Sequence, residues 1–178
     1  MKKKTAIFLT ALLLLCMVIP AFAEQAVTFP QGTITSEPTE LFSEHFHVSI
    51  DAGVYVPGDL MERWEGIYRA METVSGIRFE DGAYARKIEV RCRANETSEE
   101  GEFYVPVAYQ NQIDLYPADL LANGSYAILH EMSHTLNYFY HEASEDWESR
   151  LMAEGFAEYT AYQTAKWLEE NDPALAYA

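Results

Sequence analysis

His130-Glu131-Met132-Ser133-His134 sets two imidazoles four residues apart with a carboxylate between them. On a helix, positions four apart share a face. Both rings can then point at one zinc ion while Glu131, slightly offset, reaches a water on that ion. The pentapeptide is short enough to arise by chance, and a lone mid-helix histidine is more often a surface or hydrogen-bonded group than a ligand. Its weight therefore comes from what surrounds it.

Two histidines leave a tetrahedral zinc site one protein ligand short when water takes the fourth place. Downstream, Glu154-Gly155-Phe156-Ala157-Glu158-Tyr159 lies in a second acidic, helical stretch. That helix can fold back antiparallel across the polar segment from His141 to Glu148, with Gly155 allowing a close approach. Glu154 is the favoured third ligand. Glu158, one turn later, is the alternative ligand or the acceptor for the second nitrogen of His130, which would fix that ring's tautomer.

The two motifs together resemble the gluzincin branch of zinc metallopeptidases, which includes thermolysin-like enzymes and membrane-alanyl-type aminopeptidases. The resemblance implies that His130, His134 and Glu154 bind one zinc ion per chain, that Glu131 is the general base, and that Glu158 supports the ligands from behind. It implies a zincin-like fold, in which the last strand before the active-site helix is an edge that holds the substrate backbone. The expected reaction is zinc-dependent hydrolysis of peptide bonds, with Glu131 activating a zinc-bound water and returning the proton to the leaving amine.

Two departures accompany this likeness. Nineteen residues separate His134 from Glu154, one more than in the aminopeptidase arrangement, so the connecting loop is expected to be longer. Such enzymes also draw a Tyr or His that stabilises the oxyanion from a further helical subdomain. Within this sequence the candidates for that role are Tyr138, Tyr140, His141, Arg150 and Tyr159, or a partner that completes the cleft. The competing reading is a catalytically weak or inactive zinc-binding protein that binds peptides or a protein partner. A structural zinc site prefers four protein ligands and does not need Glu131.

The elements that must position these groups follow from periodicity. Glu24 to Glu44 is polar and reads as an extended leader or short edge hairpin, and Phe46 to Val56 as a strand. Pro57-Gly58-Asp59 offers a turn and a helix cap. Leu60, Trp64, Ile67, Tyr68, Met71 and Val74 then recur at helical spacing until Gly76 closes the helix. Lys87 to Arg93 alternates as a strand, Ala94 to Glu102 is a loop, and Phe103 to Tyr109 with Gln112 to Tyr116 forms a hairpin. Pro106 argues that its first arm runs at an edge or bulges.

Asn123, Gly124 and Ser125 start the helix that buries Ile128, Leu129, Met132 and Leu136. A last helix runs from about Ser149 to Glu170, with Leu151, Phe156, Tyr159, Trp167 and Leu168 as its apolar positions. The expected class is α+β, a small mixed sheet packed on a helix and on the motif-bearing helix, followed by a Glu-bearing helix.

Composition narrows the setting. Lys2, Lys3 and Lys4, the apolar run from Ala6 to Ile19 and Ala21-Phe22-Ala23 read as a signal peptide of residues 1–23, with a bacterial look. Residues 24–178 then form a single exported domain, secreted, periplasmic or at the cell surface, with no stable membrane span after cleavage. Lipidation at Cys16 is disfavoured by the bulky Leu15 before it.

Removing the leader takes the formal charge from −16 to −19. A surface this acidic excludes nucleic acid as a natural partner and suits solubility or attraction of basic peptides. Cys92, the sole cysteine left, rules out an internal disulfide and reads as a small buried hydrophobe in its strand.

Overall fold

The computed structural model describes residues 31–79, 87–102, 104–121, 125–137 and 147–175. The proposed leader, its cleavage point and the residues Tyr138, Tyr140 and His141 lie outside them. The chain is α+β. Its strands are β1 (Gly32–Ile34), β2 (Thr39–Phe42), β3 (Phe46–Ile50), β4 (Tyr55–Pro57), β5 (Ile88–Cys92), β6 (Val107–Tyr109) and β7 (Gln112–Leu115), and its helices are α1 (Leu60–Ser75), α2 (Pro117–Leu121), α3 (Ser125–Asn137) and α4 (Trp147–Asn171).

Five strands form one mixed sheet in the order β2-β3-β5-β7-β6. β3, β5 and β7 run parallel, while β2 and β6 close the two edges in antiparallel pairing. Register aligns Phe46 with Ile88, Val48 with Val90 and Ile113, and Ile50 with Cys92 and Leu115. Because strand side chains alternate between faces, these residues share one side, and all are buried. The opposite side carries His47, Ser49, Glu89, Arg91, Gln112 and Asp114.

Helices cover the apolar side. Trp64, Ile67 and Met71 of α1 and Ile128, Leu129, Met132 and Leu136 of α3 join the strand residues in one core. α3 packs beside β6 and β7, and α4 packs on both α3 and α1. Cys92 is buried among these groups and unpaired, and burial, reinforced by Asp51, pushes its thiol up to about 12, so it sits there as a neutral hydrophobe.

The expected strand from Phe46 to Val56 is divided. Gly53, at φ 86°, turns the chain, and Thr35 Oγ1 donates to the Asp51 carbonyl at 2.7 Å. β4 thereby leaves the main sheet and pairs with β1. No local hairpin forms between β1 and β2. Gly76 does end α1, in the left-handed conformation, its N–H donating to the Glu72 carbonyl. Asp59 occupies the cap position of α1 without capping it, because its carboxylate pairs with Arg63 at 2.6 Å. The arm expected from Phe103 to Tyr109 is a strand only over β6. It follows Pro106 and is an edge, where a missing N–H costs the ladder nothing.

α4 corrects another expectation. Its inward face is Ala157, Thr160, Ala161, Thr164 and Leu168, whereas Leu151 and Tyr159 are exposed together with Met152 and Tyr162. Close approach to α3 is secured by Ala157 and Ala161, since a Cβ added at Gly155 would meet no atom within 4 Å. The buried hydroxyls of Ser133 and Thr164 are satisfied by the carbonyls of Leu129 and Thr160, one turn earlier.

Candidate metal centre

Three acceptor atoms converge where α3 meets α4. His130 Nε2 and His134 Nε2 stand 3.0 Å apart. Glu154 Oε2 lies 3.2 Å from the first and 3.4 Å from the second. The local cause is the four-residue spacing on α3, which sets both rings on one face, edge to face at an interplanar angle of 78°, with α4 delivering Glu154 from the side.

The triangle can be tested against the ligand it would suit. With zinc bonds of about 2.0–2.1 Å in tetrahedral geometry, neighbouring donors sit about 3.3 Å apart. The three observed separations bracket that value, and two imidazoles with one carboxylate are the donor types that zinc takes. These three side chains therefore fit a zinc ion. A second group, Glu44, His45 and Glu65, also brings its donor atoms together. There Glu65 already accepts from Ser43 Oγ at 2.6 Å and the His45 backbone N–H at 2.8 Å, and it contacts His45 Nδ1 at 2.6 Å. That set is a hydrogen-bonded clasp between the loop before β3 and α1. Burial raises the Glu65 pKa, but these partners outweigh it and leave the carboxyl below its usual value.

Glu131 directly follows His130 in the chain yet is buried, at 6% exposure. Desolvation, with Glu154 and Asp119 adding repulsion, pushes its carboxyl up to about 7, against a hydrogen bond from the Ala108 backbone in β6. A carboxyl poised near neutrality can both take and return a proton. Burial likewise lowers the pKa of His134, an effect that His130 reinforces and Glu154 opposes, which favours the neutral ring a metal requires.

Glu158 lies on the far side of His130, with Oε1 3.2 Å from Nδ1. The hydroxyl of Tyr126 hydrogen-bonds its other oxygen. Burial, with Glu158 adding to it, pushes that phenol up to about 12, so it remains a donor. Tyr126 was not anticipated from the sequence, although its place four residues before His130 puts it on the same helix face. Asp119 and the Ala108 backbone are further neighbours that only the fold brings to Glu131.

Of the oxyanion candidates within the described residues, Arg150 and Tyr159 are both exposed. Tyr159 stands on the outward face of α4, with Met152 and Tyr162. Comparison of the chain with protein-family models, with curated proteins and with solved structures returns no match.

Proposed function

We propose that this protein is a zinc-dependent peptidase with a zincin-like fold, similar to the gluzincins. The observation that carries the reading is the donor triangle of His130, His134 and Glu154, whose edges of 3.0, 3.2 and 3.4 Å fit one zinc ion. The chemistry supplied by bound zinc is activation of a water and polarisation of the scissile carbonyl. Glu131 takes the proton from the attacking water and passes it to the leaving amine. β7, the last strand before α3, lies inside the sheet, so the edge next to α3 is β6, and main-chain pairing of an extended peptide there would align the scissile bond.

Further support comes from charge. The strongly acidic surface favours basic peptides as substrates, and export would place the enzyme outside the cytoplasm. Among the described residues no helix is long and apolar enough to cross a membrane. The exposed face of Leu151, Met152, Tyr159 and Tyr162 favours a second reading, a zinc protein that binds a partner there and cleaves weakly or not at all.

Glu131→Gln separates the two readings. The variant should keep one zinc per chain and lose peptide hydrolysis by at least about 100-fold, the lower end of what a general acid–base group contributes. Unstructured peptides, basic ones included, are the substrates to use. Equal cleavage by wild type and variant would assign the activity elsewhere, and a zinc-loaded wild type that cuts nothing would favour the binding protein.

A further inference from the structure

Glu158 is held from two sides by residues of a single helix. One oxygen faces His130 Nδ1 at 3.2 Å and the other accepts the hydroxyl of Tyr126, one turn earlier on α3. The Glu158 side chain is otherwise 57% exposed, and a free glutamate on a helix surface samples many rotamers. Two contacts from α3 select one of them.

We propose that Tyr126 is a positioning residue of the candidate metal centre: acting through Glu158, it holds the His130 imidazole with its proton on Nδ1 and its Nε2 lone pair turned towards His134 and Glu154. The inference rests on the zinc reading above and extends it to a residue outside the two motifs. The physical route is a chain of hydrogen bonds. An Nδ1–H donating to Glu158 leaves Nε2 as the ligand atom, and a carboxylate behind a ligating histidine raises its basicity towards metal. The Tyr126 hydroxyl fixes where that carboxylate sits.

Tyr126 is itself 48% exposed, so Tyr126→Phe removes the hydroxyl while leaving the ring and the core intact. Zinc affinity is measured by competition with a chromogenic chelator for the wild type, Tyr126→Phe, Glu158→Ala and the double variant. Tyr126→Phe should weaken zinc binding about 10-fold, with the melting temperature of the metal-free protein unchanged. In the Glu158→Ala background the same change should have no further effect, because the link through which it acts is gone. Nitrogen NMR of the zinc-loaded protein should show the His130 Nδ1 proton shifted upfield in Tyr126→Phe.

Wild-type affinity in Tyr126→Phe, or an equal penalty in both backgrounds, would overturn the inference and leave the metal centre standing. A folded wild type that binds no zinc would overturn both.

Discussion

His130 and Glu154, on different helices and twenty-four positions apart in the chain, meet at 3.2 Å between Nε2 and Oε2. The contact exists because Ala157 and Ala161 let α4 lie close against α3, and because His130 points outward from the turn that buries Leu129 and Met132. The two glutamates of α4 take different nitrogens of the same ring. Glu154 faces Nε2 and His134, while Glu158 faces Nδ1 alone.

This division predicts an asymmetry. Glu154→Gln removes a charged donor from the triangle and should weaken zinc binding far more than Glu158→Gln, which leaves all three ligands and should cost roughly 10-fold to 100-fold. Isothermal titration of the two variants side by side reads the order, and the reverse order would make Glu158 the ligand.

Bound zinc should also stabilise the fold, since it would tie α3 to α4 in a chain whose described cysteine is unpaired. At free zinc 100-fold above Kd the gain is about 2.7 kcal/mol. Thermal melts with zinc and with a chelator should differ accordingly. Identical melts would mean that no metal links the helices.

Gly155 is placed to be improved. It lies inside a 25-residue helix with open space where a Cβ would go, so Gly155→Ala should raise stability by about 0.5–1 kcal/mol through helix propensity. Chemical denaturation measures it directly. A destabilised variant would show that this surface is covered when the protein is in solution.

The Glu65 clasp fixes the sign of one pH effect. Its folded pKa lies below the ordinary carboxyl value despite burial, owing to His45 and Ser43, so its contribution is present above the unfolded pKa near 4.3 and disappears as pH falls through the depressed folded value. Glu65→Gln should lower stability at neutral pH by about 1–3 kcal/mol, and the gap should narrow on acidification below about pH 4. A gap that widens in acid would contradict the assignment.

Much of this was readable from residue order. The period-2 runs at Ile88 to Cys92 and Gln112 to Leu115 and the period-3.6 run from Leu60 mark half-buried elements whatever the fold, because alternation and helical pitch are local geometry. The His-Glu-x-x-His spacing likewise presents two rings on one helix face before any tertiary contact forms. Local patterns stop where partners are chosen. That β4 leaves the sheet at Gly53, that α4 turns Ala157 and Ala161 inward and exposes Leu151 and Tyr159, and that Gly155 meets nothing were decided by packing across elements. The same holds for the site: the approach of Glu154 to two histidines, the tie from Tyr126 through Glu158, and the desolvation that lifts Glu131 to about 7 depend on which faces meet and how much water they exclude. Neither quantity is a property of any short stretch of sequence.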